Sequence, residues 1–286
     1  MNLYFGALIY TRDANGVLRG IVAENDFAGP DWNGRLGTET ATPRDVPPGD
    51  IAGVYCSSTH LPNGLDVFTG PLRIQRVGAH YSLHWTKPGA VPFFGVGFQL
   101  PDDPNRYCFA FYGIVMAPYW PGPADAATPH DVAPAPRLPG ASGNLDTSLA
   151  VSLVDQNDDG SWSGPAASNE FLEGPSGGRL GTDRATRLAG NGGAAGSPPS
   201  ADAFAGAYRA ARTRPDGTRS YQGALNVQRI GDMYGMHWSS AGEAPCLGVA
   251  LEDPMRRGRY VVGTWGLRLS SFWNPPPDMI CAGHAG

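Results

Sequence analysis

The sequence predicts an all-β protein built as two tandem, internally repeated antiparallel barrels, and three observations carry that reading. An eight-residue stretch occurs twice, GAHYSLHW at 78–85 and GDMYGMHW at 231–238, an offset of 153 that also aligns Tyr55 with Tyr208 and Arg106-Tyr107 with Arg259-Tyr260. The 40 Gly and 27 Pro of the 286 residues punctuate runs rich in Tyr, Phe and Trp, the composition of aromatic strands separated by turns. No window combines helical periodicity with caps, whereas short runs bounded by turn signals recur throughout.

Taken in order, the strand candidates of the first copy are 3–10, 17–25, 52–60, 66–77, 79–86, 93–99, 106–112 and 114–120. Asp-Ala-Asn-Gly (13–16), Pro-Asn-Gly (62–64), Pro-Asp-Gly (215–217) and the single glycines Gly78 and Gly231 supply the turns between them. About eight consecutive hairpin-linked strands per copy favour closed up-and-down barrels, with β-sandwiches as the alternative. The N-terminal parts also repeat, ENDFAGPDWNGRLGTE (24–39) with SNEFLEGPSGGRLGTD (168–183), at an offset of 144. The nine extra residues of the second copy fall in the loop-like GNGGAAGSPPS (190–200). The expected organisation is a first repeat at 1–121, a Pro/Ala/Gly-rich linker at 122–147, a second repeat at 148–274 and an irregular tail at 275–286.

A net charge of −5 gives no electrostatic case for a nucleic acid or an anionic membrane as partner. The first residues carry no basic segment of the secretory kind, and no stretch reaches the roughly 18–20 apolar residues of a membrane helix, so a cytoplasmic protein is expected. Cys56, Cys108, Cys246 and Cys281 do not follow the repeat, which predicts free thiols in preference to an ancestral disulfide framework. GxSxG, P-loop, GxGxxG-helix, CxxC and HExxH motifs are all missing, which removes sequence support for serine hydrolases, nucleotide enzymes, dehydrogenases and the common zinc sites.

The repeated grammar Gly-x-Tyr, Pro-x-Gly, then aromatic-x-Gly-x-Leu-x-(Ile/Val)-Gln-Arg-x-Gly-x-x-Tyr-x-x-His-Trp resembles the calycin-type barrels of lipocalins and avidins over about 70 residues of each copy. The resemblance implies a barrel with one ligand in its lumen. Some bacterial calycin-like and allene-oxide-cyclase-like proteins are cofactor-free cyclases or isomerases, so it also implies a candidate chemistry, without transferring any catalytic residue.

Alternation along HYSLHW sets Tyr81, Leu83 and Trp85 on the buried face and turns His80 and His84 away, outside the barrel or towards the other copy; Tyr234, Met236 and Trp238 are set against His237 likewise. His80 and His84 are separated by roughly 13 Å on a strand, which does not make a metal site. Arg76 and Arg229 follow apolar inward positions two residues before a turn glycine, where a guanidinium either meets a ligand oxygen or closes the barrel end by pairing or stacking. Tyr107 and Tyr260 open a strand, as ligand-orienting hydroxyls or as core tyrosines. Asp155-Gln-Asn-Asp-Asp-Gly160 begins like a calcium loop, but Ala166 stands at its twelfth position, so it reads as a hairpin turn.

Reading Phe94, Val96 and Phe98 as inward in the first copy, against Leu247, Val249 and Leu251 in the second, predicts that the second barrel holds the larger pocket; Phe109/Val262 and Phe111/Thr264 point the same way. The functional expectation is a small, largely apolar or amphipathic organic molecule in a lumen, acted on by a cofactor-free isomerase, cyclase or lyase in which Arg229 and Tyr260 polarise an oxygen. Arg76, Tyr107, Tyr234, Met236, Trp238, Leu247, Val249, Leu251, Val262 and Thr264 are the expected binding residues, with no metal and no cofactor. A carrier or sequestering protein and a protein-interaction module are the alternatives, and the two repeats are free to pack on each other.

Overall fold

The computed structural model describes residues 2–86, 92–115, 145–172, 176–188, 203–239 and 246–269. Two closed eight-stranded antiparallel barrels follow one another along the chain. The first consists of β1 (Asn2–Arg12), β2 (Leu18–Glu24), β3 (Gly37–Asp45), β4 (Gly53–His60), β5 (Asp66–Val77), β6 (His80–Trp85), β7 (Phe93–Gln99) and β8 (Arg106–Val115). The second consists of β9 (Leu145–Gln156), β10 (Trp162–Ser168), β11 (Gly181–Arg187), β12 (Gly206–Thr213), β13 (Arg219–Ile230), β14 (Met233–Ser239), β15 (Cys246–Glu252) and β16 (Arg259–Leu269). Each strand pairs with the next, and β8 and β16 return to β1 and β9, so neither sheet keeps an edge. No helix among the described residues is long and apolar enough to cross a membrane.

Two strand assignments change. GTETATPRD, which lies outside the strand candidates, is β3, and the candidate strands 106–112 and 114–120 begin a single β8; residues 116–120 lie outside the described residues. β9 starts at Leu145, inside the expected linker, whose residues up to 144 lie outside the described residues together with the tail. Cys56, Cys108 and Cys246 are free thiols, while Cys281 falls outside. The calcium-like stretch is a hairpin turn in which Asp159 Oδ1 accepts the Ser161 amide at 2.8 Å; in the first copy Asp13 Oδ1 accepts the amides of Asn15 and Val17.

Register corrects the inward face of β7 and β15. Tyr81, Leu83 and Trp85 lie opposite Gly97, Gly95 and Phe93, so these point inward and Phe94, Val96 and Phe98 point out. Tyr234, Met236 and Trp238 likewise lie opposite Ala250, Gly248 and Cys246, which turns Leu247, Val249 and Leu251 out of the lumen. The inward glycines are filled from beside: a Cβ on Gly97 would strike the Phe109 ring, and one on Gly248 the Trp238 ring. The outward apolar residues have their own partner. Val96 and Phe98 share one buried cluster with Leu149, Val151, Val249, Leu251 and Val261, so the walls of the two barrels make a common core.

The contact between barrels is reciprocal. Gly34 O accepts the Asp232 amide at 3.1 Å, and its repeat counterpart Gly178 O accepts the Ala79 amide at 2.9 Å. Gly34, Gly78, Gly178 and Gly231 all have positive φ, and Cβ atoms on them would overlap the opposing backbone. His80 Nδ1 bonds Gly178 O at 2.7 Å beside the Phe171 ring, while His84 stacks on Phe94 outside the first barrel at 4.8 Å. The duplicated arginines also cross over. Arg106 grips Asp253 through two bonds, and Arg259 reaches Asp102 at 2.6 Å while holding Asp155 at 2.8 Å.

Candidate functional site

One end of each lumen is closed by the same parts. Tyr55 OH donates to Ile51 O at 2.9 Å, and Tyr208 OH donates to Phe204 O at 2.7 Å, which draws an apolar side chain across the opening. Tyr81 and Tyr107 pack edge to face in the first barrel, and Tyr234 and Tyr260 do the same against Phe204, whose ring stacks on Tyr260 at 3.7 Å. Arg76 sits outside this end, 5.8 Å from the Tyr81 ring and 3.4 Å from Asp50. Arg229 is exposed at the equivalent end and donates to Gly231 O at 3.0 Å. Neither arginine is at the level of the polar groups described next.

Deeper in each barrel stands a carboxylate that the sequence reading did not single out. Glu39 on β3 and Asp183 on β11 occupy equivalent positions and are each 5% exposed. β3 alternates Gly37, Glu39 and Ala41 inward against the threonines, which aims the acid into the lumen. Glu39 Oε1 accepts Tyr10 OH at 2.6 Å, Ser57 Oγ at 2.5 Å and Trp85 Nε1 at 2.7 Å, and Oε2 accepts Thr59 Oγ1 at 3.2 Å. Burial, with Glu39 alongside, holds the Tyr10 phenol well above its ordinary pKa.

Asp183 is served by a cation. Arg212 donates to its two oxygens from Nε and Nη2, both at 2.7 Å, and Ser152 Oγ bonds Oδ2. Arg212 occupies the position of Thr59, and both Nη atoms lie 3.4 Å from Thr264 Oγ1. Burial opposes the guanidinium charge, but the Asp183 carboxylate more than offsets it and leaves the Arg212 pKa raised. Near the rim, Glu170 accepts Ser148 Oγ at 2.8 Å and pairs with Arg214 at 3.4 Å. In the first barrel the rim carries Glu24, inward by its pairing with Gly6; burial, then the Asp26 charge, raises its carboxyl to about 8.

At this level the lumens are filled differently. Leu8, Tyr10, Phe93, Phe109 and Phe111 of the first barrel become Ser152, Val154, Cys246, Val262 and Thr264 in the second. Trp162 for Leu18, Phe204 for Ile51 and Arg212 for Thr59 run the other way, the first two towards the closed end. The upper lumen of the second barrel is therefore lined by smaller and more polar side chains. Of the expected binding residues, Tyr234, Met236, Trp238, Val262 and Thr264 line this lumen, as does Tyr260, expected as a catalytic residue, and Tyr107 lines the first. Leu247, Val249 and Leu251 do not line it, for the register reason given above. An open depression beside β4 and β5, lined by Asp45, Pro47, Val54, Arg73 and Arg76, includes neither carboxylate. No group of three or more potential metal ligands occurs among the described residues.

No family model matches the chain, and no curated protein matches it. Among solved structures, the crystal structure of the di-domain ARO/CYC StfQ from the steffimycin biosynthetic pathway is similar at 12% identity. That likeness covers 80% of this chain and 73% of the other at a TM-score of 0.19, too low to support an argument.

Proposed function

We propose that the second barrel binds a small, largely apolar organic molecule through a carbonyl or carboxylate oxygen and acts on it, without a cofactor, as an isomerase, cyclase or lyase. The observation that carries this reading is Arg212, a guanidinium inside a barrel at the height where the lining side chains are smallest. Its fork to Asp183 uses Nε and Nη2, and Nη1 donates only the long 3.4 Å bond to the Thr264 hydroxyl, which leaves its second N–H to meet a ligand oxygen. Charge that develops on such an oxygen meets a donor already fixed in place and little exposed to water, which favours the transition state over the ground state. Asp183 and Ser152 are positioning residues in this reading. A carrier without chemistry is the second reading, favoured because both Asp183 oxygens are already taken and are not offered to a substrate proton.

Native mass spectrometry of the protein purified gently from its own host tests the reading, with Arg212→Lys and Thr264→Val alongside. The expected result is one small molecule per chain, lost in Arg212→Lys and depleted in the near-isosteric Thr264→Val. Conversion of the offered compound on incubation selects the enzyme, and unchanged release selects the carrier. No bound molecule, together with an unshifted melting temperature across a metabolite panel, overturns the reading.

A further inference from the structure

We infer that the first barrel holds a second site of opposite charge, in which Glu39 receives the ammonium group of an organic amine with an apolar tail. It stands on the first lumen alone and is independent of the proposal for Arg212. The Glu39 carboxylate is nearly fully buried, and its hydrogen bonds come from Tyr10, Ser57, Trp85 and Thr59, four neutral donors. The repeat supplies the comparison. Where the second barrel sets Arg212 against its carboxylate, the first has Thr59, so the anion is kept and the covalent cation is not.

A buried charge satisfied only by neutral donors is costly to hold, and a cation that enters the lumen relieves that cost. Three short bonds converge on Oε1, while Oε2 takes the single longer bond from Thr59, a residue that is half-buried, as is Phe68 paired with it on the next strand. That leaves Oε2 as the acceptor for an incoming N–H. The adjoining walls are aromatic: Trp85 and Phe111 lie 6.0 Å apart and Phe111 and Phe93 6.4 Å apart, and their ring faces attract an ammonium group while contacting its tail. The partners of Glu39 are hydroxyl and indole groups, not further carboxylates or imidazoles, so the surroundings suit an organic cation better than a divalent metal.

Calorimetric titration of the full chain with 2-phenylethylammonium and with its neutral analogue 2-phenylethanol provides the test. The amine is expected to bind at least about tenfold more tightly than the alcohol and to shift the Trp85 indole N–H resonance, assigned with Trp85→Phe. Glu39→Gln should bring the two ligands within about twofold, and Thr59→Arg, which installs the ion pair of the second barrel, should abolish amine binding. Arg212→Lys should leave the amine preference intact, which separates this site from the one in the second barrel. Equal affinities in the wild-type protein, a preference that survives Thr59→Arg, or a response at the Trp238 indole in place of Trp85 would each overturn the inference.

Discussion

Gly231 meets two demands at once: its φ of +57° lies in the left-handed region, and a Cβ there would run into the backbone of Asn33 and Gly34 from the other barrel. Gly231→Ala is therefore expected to destabilise the protein by about 1–3 kcal/mol or more, read as a lower urea midpoint, whereas Gly217→Ala, with positive φ but open space, should cost only the backbone part. Glu24 gives a residue-scale prediction of opposite sign. Its folded pKa of about 8 lies above the unfolded value, so its contribution to stability is full below about pH 4.5 and is lost as pH rises through 8. Glu24→Gln should raise the melting temperature at pH 9 and leave it little changed at pH 4. Single residues were also the least legible level. Glu39 and Asp183 end the matched runs GRLGTE and GRLGTD, yet an acid after a threonine reads as a loop residue until the strand around it is known.

That strand, β3, was hidden because its inward residues are Gly37, Glu39 and Ala41, which give no apolar alternation to detect. Antiparallel barrels, the duplication and most strand bounds were legible, since turns and aromatic alternation are local signals. The inward face of β7 and β15 was not. In FFGVGFQ the larger side chains belong to the wall shared with the other barrel and the glycines to the lumen, so an alternation read on the assumption of one buried face selects the wrong parity. Two substitutions on β15 test the corrected face. Leu247 is 38% exposed on the outside, so Leu247→Ser should change stability by less than about 0.5 kcal/mol. Ala250 is fully buried on the inward face, so Ala250→Leu should overpack the lumen and cost about 1–3 kcal/mol, measured by denaturant titration. The reverse order would restore the first assignment.

At the scale of the whole molecule, duplication placed turn against turn and wall against wall, and the repeated Arg106 and Arg259 became ties between barrels rather than site residues. Arg106→Met strands Asp253, whose side chain is fully buried, and is expected to cost about 3–5 kcal/mol; Arg106→Met combined with Asp253→Leu should recover much of it, because an apolar pair needs no desolvated partner. The same interface carries a built-in response to acid. Burial lowers the pKa of His80 from its ordinary value, and the bond to Gly178 O only partly opposes this. A depressed base binds fewer protons folded than unfolded, so the stability tied to neutral His80 is complete above about pH 6.5 and drains away as pH falls below it. The repeat suggests the control, since Met233 fills the equivalent position without a titratable group. Wild type should therefore lose more of its urea midpoint between pH 7.5 and 5.5 than His80→Met does, and equal losses would mean that the interface is not what acid weakens.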